Sequence, residues 1–180
     1  MLSEPWLEGY LTDRGLLTAG DLPIDILRAG DGNMNLVARV TTAGGRSFIV
    51  KHARPWVEKY PQVAAPIERT MVEAAFYDAV GREASVGERM PAVLHVDPER
   101  PVLVLEDVGG EGDLTSIYAG SPMPPSILPV LLDWLRQLAG GVIPAEARAT
   151  PVNRRMRATN HERIFRFPLR AGNGLGPHAV

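Results

Sequence analysis

Apolar and polar positions along the 180-residue chain follow two periods, and the changes between them mark out the elements. Residues 24–29 (IDILRA) alternate loosely, Gly30-Asp31-Gly32-Asn33 supplies turn residues, and residues 36–40 resume as a strand. Gly44-Gly45 is a hairpin turn, after which Phe48, Ile49 and Val50 lead straight into Lys51. Residues 24–53 therefore read as three consecutive antiparallel strands. From Pro66 the period lengthens. Ile67, Met71, Val72, Ala75, Phe76, Ala79 and Val80 recur at spacings of three and four, with Pro66 suited to a first helical turn and Gly81 to a C-cap. This pattern predicts an amphipathic helix. Residues 93–96 and 102–105 read as two more strands, joined by the turn Asp97-Pro98-Glu99-Arg100.

A loop with Gly109, Gly110 and Gly112 and a stretch with Pro122, Pro124 and Pro125 then read as a linker. Ser126 can cap a second helix, in which Ile127, Leu128, Leu131, Leu132, Leu135 and Leu138 make one apolar face and Pro129 is tolerated in the first turn. That helix is expected to end at Gly140-Gly141. No internal repeat is visible.

Composition narrows the class. The chain has 19 Lys and Arg against 21 Asp and Glu, a formal net charge of -2 and 45% hydrophobic residues, the profile of a folded chain that buries a core without staples. With no cysteine, a disulfide scaffold, a zinc ribbon and a thiol nucleophile are excluded, so any chemistry rests on oxygen and nitrogen groups. The first twenty residues carry Glu4, Glu8, Asp13 and Arg14 and lack the apolar core of a signal peptide. The most apolar window, residues 127–139, is interrupted by Asp133 and Arg136 and falls short of the roughly 20 residues of a membrane helix. A cytoplasmic protein with no membrane partner is expected. One region departs from the average: residues 146–170 hold seven Arg and two Glu, which leaves the rest of the chain acidic.

A Gly-rich turn between two strands, a Lys ending a third strand and a Glu on the next helix is the order in which kinase-like folds build a nucleotide phosphate site. Backbone amides of the turn cover the phosphates, the Lys contacts them, and the Glu holds the Lys by an ion pair. Here the parts are Gly30 to Asn35, Lys51 and Glu73. Each part has a plainer reading. The turn GDGNMN has only the first two glycines of G-x-G-x-x-G and could be a hairpin loop. Lys51 could be a solvated strand end, and Glu73 could pair on the surface with Arg69, one turn earlier. Against the last, Glu73 projects beside Phe76 and Val80, next to the buried face, where a carboxylate more often has a partner in the body of the fold. The order of all three, followed by two strands and Glu106-Asp107, is more specific than any part.

The segments GDGNMN (30–35), IVKHARPWVEKYP (49–61), PIERTMVEAAFY (66–77) and VLEDV (104–108) resemble the N-terminal lobe of methylthioribose kinase and related aminoglycoside-phosphotransferase-like kinases. That family has a DGNLN-type loop, an IVKQA-type strand, an E-R-x-x-x-E helix and a V-x-E-D hinge. The resemblance covers roughly residues 20–110. It implies an α+β kinase-like N-lobe, a five-stranded antiparallel sheet with one helix packed on it, followed by a partial helical extension from about residue 126. It also implies that Gly30, Gly32, Asn33 and Asn35 lie near ATP phosphates, Lys51 contacts them, Glu73 orients Lys51, and Glu106, Asp107 and Val108 line an adenine pocket. The segment Asn160-His161-Glu162-Arg163-Ile164-Phe165 resembles an N-H-E-H-I-F run in the wider group and receives no role.

The family's catalytic motif resembles H-G-D-x-H-x-x-N, followed by D-x-E for a second metal contact. Neither occurs after the hinge. His95-Val96-Asp97 and Asp97-Pro98-Glu99 imitate both, but they share one Asp, precede the hinge and have Val102 where the Asn belongs, so a strand-connecting turn is the better reading. His52, His95, His161 and His178 show no metal-ligand spacing, so Mg²⁺ is expected only with nucleotide. No catalytic or metal residue is assigned. The expectation is an N-terminal fragment or truncated product of a phosphotransferase acting on a sugar-like hydroxyl and inactive alone: lobe 1–108, linker 109–125, helical region 126–180. Its apolar face at Leu131, Leu135 and Leu138 would be short of cover and prone to self-association.

Two alternatives stand. One is a nucleotide- or partner-binding module that never catalyses. The other is a nucleic-acid surface made by Arg154, Arg155, Arg157, Arg163, Arg166 and Arg170 with Phe165 and Phe167 interleaved, which the acidic overall charge disfavours.

Overall fold

A computed structural model describes residues 5–30, 32, 34–109, 114–140 and 153–173. Asn33, Gly110, Gly112, Gly141 and the end from Gly174 lie outside the described residues. The protein is α+β. Its sheet has five antiparallel strands, β1 (Asp25–Arg28), β2 (Leu36–Thr41), β3 (Ser47–His52), β6 (Val93–Asp97) and β7 (Val102–Glu106), in the order β1-β2-β3-β7-β6. Between β3 and the first long helix of this unit, β4 (Trp56–Val57) and β5 (Tyr60–Ala64) form a separate two-stranded ribbon. The sequence reading did not anticipate this ribbon. Pro61 in β5 fits it, because a ribbon strand can leave one edge without ladder donors.

Alternation decides what each face of the sheet meets. Ala38 and Val40 of β2, Phe48 and Val50 of β3, and Val102 and Val104 of β7 point to one side and are all 2% exposed or less. Against them lies α1 (Pro5–Asp13), through Leu7, Tyr10 and Leu11, with Leu17 closing the cluster. This N-terminal helix was also unanticipated. Its signal is short but present: Pro5 at the first helical position, then Leu7, Tyr10 and Leu11 on one stripe.

On the opposite side Leu103 and Leu105 are buried, and α2 (Arg69–Gly81) packs over β6 and β7, burying Ala79 and Val80. The helix begins three residues later than Pro66. The Pro66 carbonyl accepts a hydrogen bond from the Arg69 side chain at 2.6 Å, and residues 67–68 form a turn. A short α3 (Ala84–Gly87) follows, then after β7 a 3-10 segment (Leu114–Ala119) and α4 (Ile127–Ala139), with Gly140 as its C-cap. The last described elements are α5 (Arg154–Asn160), a π-helical turn (His161–Arg166) and a 3-10 turn (Phe167–Leu169). Among the described residues, no helix is long and apolar enough to cross a membrane.

Asp97 ties α1 to the β6–β7 turn. It is 4% exposed, and its carboxylate accepts the Tyr10 hydroxyl at 3.0 Å, Arg14 Nη2 at 2.9 Å, and the backbone amides of Glu99 and Arg100 at 3.0 Å each. Burial alone would raise its pKa, but the Arg100 amide, the Tyr10 hydroxyl and the Arg14 charge outweigh burial and hold it below the ordinary carboxylate range. Burial and the same hydrogen bond push the Tyr10 phenol up to about 12.

Two limbs of stability follow from these opposite shifts. Asp97 stabilises the fold above the unfolded carboxyl pKa of about 4, and that contribution is lost as pH falls below it. Tyr10 stabilises the fold below its unfolded pKa of about 10, and that contribution is lost as pH rises from there toward about 12. Urea unfolding of Asp97→Ala at pH 7 is expected to show a loss of roughly 2–4 kcal/mol that shrinks below about pH 4. Tyr10→Phe should lose the alkaline limb and keep most of the acid one. A pH-independent cost of Asp97→Ala would contradict this account.

Candidate functional site

The Gly-rich turn joins β1 to β2. Ala29 closes it by donating to the Val37 carbonyl at 2.9 Å, and Gly30 turns the chain with φ 72°, a conformation side chains disfavour. A Cβ built on Gly30 or Gly32 would meet nothing within 4 Å. The main chain there is open to close approach by a ligand. The far end of the turn is fixed from α2: the Arg69 guanidinium donates to the Met34 carbonyl and to Asn35 Oδ1, both at 2.6 Å.

Lys51 is placed by parity. Phe48 and Val50 point at α1, so Ile49 and Lys51 point at the α2 side, where Lys51 pairs across the sheet with Leu103. There its ammonium donates to Glu73 Oε1 of α2, with side-chain exposures of 23% and 28%. Glu73 does not pair with Arg69. Tyr77, one turn further along α2, sits beside this pair; burial pushes its phenol up, Lys51 pulls it down and Glu73 adds to the rise.

Because β3 and β7 run antiparallel with Phe48 opposite Glu106, the segment after β7 lies three residues back along β3 from Lys51, about 10 Å away. The carboxylates of this segment are engaged within the protein. Asp107 accepts Arg39 Nε at 2.6 Å, Arg39 Nη2 at 3.0 Å and the Gly109 amide at 3.1 Å, and the Arg39 bonds foremost hold its pKa below the ordinary range. Glu106 accepts the Ala92 amide at 3.0 Å while its own amide donates to the Ala92 carbonyl at 2.8 Å. The segment therefore presents main chain at 107–108 and the side chain of Val108, which is 69% exposed. Of the residues singled out by sequence, the structure gathers Gly30, Gly32, Asn35, Lys51 and Glu73 at one end of the sheet and Glu106, Asp107 and Val108 at the end of β7.

No family model matches the chain. A methylthioribose kinase of Erwinia tasmaniensis is 38% identical over 90 residues, a match covering 47% of this chain and 21% of that protein. The chain thus spans about a fifth of the length of the relative it matches. The similarity supports a kinase-like family.

The other sequence features take structural places. Asp97, of the His95-Val96-Asp97 imitation, has its carboxylate engaged by the four donors already described. In the Arg-rich segment, Arg155 pairs with Glu68, Arg166 and Arg170 approach Glu162 at 3.9 and 2.8 Å, and Arg163 lies over the Phe167 ring. Met156 of α5 is 8% exposed and helps line a cleft of about 610 Å³ with Asn35, Glu73, Phe76, Asn153 and Asn160. Helix α4 leans on α3, with Trp134 Nε1 donating to the Val86 carbonyl at 3.4 Å and Asp133 paired to Arg89 at 3.2 Å. Its Ile127, Leu128, Val130, Leu132 and Leu135 are exposed. Among the described residues, no three His, Asp or Glu side chains converge as metal ligands.

Sequence reasoning missed Arg69, Tyr77 and Arg39. For Arg69 a signal existed, because positions 69, 72, 76 and 80 share one stripe of α2, and a cation on that stripe is buried rather than solvated.

The Lys51–Glu73 contact predicts an energetic coupling. A double-mutant cycle on Lys51→Met and Glu73→Gln, read by urea unfolding, should give a coupling of about 1 kcal/mol. The corresponding cycle for Arg69 and Glu73 should give a smaller value. A larger Arg69–Glu73 coupling with none for Lys51–Glu73 would contradict the geometry.

Proposed function

We propose that this chain supplies the nucleotide-binding lobe of a small-molecule kinase, one that transfers the γ-phosphoryl group of ATP to a hydroxyl of a sugar such as methylthioribose or an aminoglycoside. The observation that carries the reading is the Lys51–Glu73 ion pair bridging β3 and α2 beside an open Gly-rich turn, and the partial similarity to a methylthioribose kinase supports it. In this reading residues 1–108 are assigned to the lobe, 109–125 to its connection and 126–180 to the region that follows.

The residues present suit ATP. The Lys51 ammonium can donate hydrogen bonds to phosphate oxygens from a position that Glu73 fixes, so little side-chain freedom is lost on binding. Main-chain amides of Gly30 and Gly32 can approach phosphate oxygens, since these two positions carry no Cβ and have open space around them. The polar main chain at 107–108 and the apolar Val108 side chain suit the edge and face of a base. ATP brings the phosphoryl group and, with Mg²⁺, the charge neutralisation of the reaction.

Transfer needs more than this. Positioning the acceptor hydroxyl and holding the metal are tasks the family resemblance assigns to H-G-D-x-H-x-x-N and D-x-E, which the sequence does not contain after the hinge. Binding without turnover is therefore the expected behaviour of this chain. Calorimetry or ligand-observed NMR with Mg-ATP should show weak binding, with Kd on the order of 1 mM, that disappears in Lys51→Ala. An ATP-consumption assay with methylthioribose and a panel of aminoglycosides should stay at background. Tight ATP binding indifferent to Lys51→Ala would overturn the reading, and turnover above background would show that the chain holds its own acceptor-activating residue.

A further inference from the structure

Arg69 makes four hydrogen bonds from a buried position, and the ion pair does not use it. It is 6% exposed. Its guanidinium donates to Asn35 Oδ1, the Met34 carbonyl and the Pro66 carbonyl at 2.6 Å each, and to the Arg54 carbonyl at 2.9 Å. These acceptors belong to three separate pieces of chain: the Gly-rich turn, the loop after β3, and the approach to α2.

A buried guanidinium whose hydrogen bonds all go to neutral oxygens is costly, because its desolvation is offset only from a distance, by the charges of Glu58 and Glu68, and burial outweighs them. Among the described residues, no carboxylate lies within 4.0 Å of Arg69. The two acidic side chains nearest in effect, Glu58 and Glu68, are paired with Arg54 and Arg155. An arrangement of this cost calls for a role that simpler packing does not fill. A lysine, or an apolar residue of similar volume, would close the space, but only a planar fork reaches four oxygens in fixed directions.

Its place on α2 indicates the role. Arg69 and Glu73 are one helical turn apart. Arg69 grips the turn that would cover phosphates, and Glu73 grips the lysine that would contact them. Both halves of the phosphate site thus hang from one helix. We infer that Arg69 is a positioning residue that sets the Gly-rich turn in register with the Lys51 ammonium, so that nucleotide affinity depends on its fork and not only on its charge. This inference rests on the nucleotide reading above.

Two variants and a rescue test it. Arg69→Lys keeps the charge and loses the fork, and it should weaken Mg-ATP binding about tenfold. Asn35→Ala removes a single acceptor from the grip and leaves Pro66 and Arg54 bonded, so it should fold even where Arg69 variants do not, and should weaken binding by a similar or smaller factor. If Asn35 acts through Arg69, the double variant binds no more weakly than Arg69→Lys. In Arg69→Gly, millimolar methylguanidine should restore both affinity and the amide shifts of Gly30 and Gly32. Folding defects alone would not give that rescue.

Folded Arg69→Lys and Asn35→Ala proteins that bind Mg-ATP as the parent does would overturn the inference. If the parent itself binds no ATP, or binds it indifferently to Lys51→Ala, the nucleotide reading fails instead. The Gly30 and Gly32 amides of ligand-free Asn35→Ala then still report on the grip: unchanged shifts would overturn it, and a changed turn would uphold the positioning geometry.

Discussion

Strand parity leaves Lys51 a single face. Phe48 and Val50 fill the α1 side of the sheet, so the next position in register must project toward α2, into surroundings where an ammonium without an acceptor would be costly. Glu73 supplies that acceptor from the helix packed on the same face. The pair therefore depends on the whole lobe: the β3–β7 pairing that sets the depth of Lys51, the burial of Ala79 and Val80 that holds α2 on the sheet, and the helical spacing that turns Glu73 inward. The chemistry proposed for the site in turn depends on the pair, because a phosphate contact is useful only from a lysine held in place.

The same device recurs at each end of the sheet. Asp97 is held by Tyr10 and Arg14 at the β6–β7 turn, and Asp107 by the fork of Arg39 where β7 leaves the sheet. In both, a carboxylate closes a join between elements distant in sequence, and its partners lower its pKa. Near the site the signs are exchanged. Arg69 is a cation gripping neutral oxygens, with no carboxylate among its hydrogen-bond acceptors.

Much of this was legible from spacing alone. The five sheet strands, α2 and α4 follow from period-two and period-3.6 runs bounded by glycine and proline. The order of turn, lysine and glutamate along the chain itself points to the pair. What escaped the sequence has physical reasons. Helix α1 is two and a half turns long, and its three buried positions, Leu7, Tyr10 and Leu11, are too few for a periodic signal. The β4–β5 ribbon comprises strands of two and five residues, one with a proline, below what alternation can identify. Spacing alone offers Arg69 as a surface partner of Glu73, because i, i+4 says that two groups are close, not which of them has a better partner elsewhere. Arg39 and Asp107 lie 68 residues apart, and nothing local connects them.

The chain contains two lysines, Lys51 and Lys59, and this makes the central claim directly observable. Their side chains can be followed by the non-exchanging ¹H–¹³Cε signals, and Lys59, which is exposed, serves as the internal reference. On titration with a non-hydrolysable ATP analogue and Mg²⁺, the Lys51 signal should move saturably while Lys59 stays at its starting position. Saturable binding of the analogue that leaves Lys51 unmoved, or moves Lys59 alone, would contradict the account.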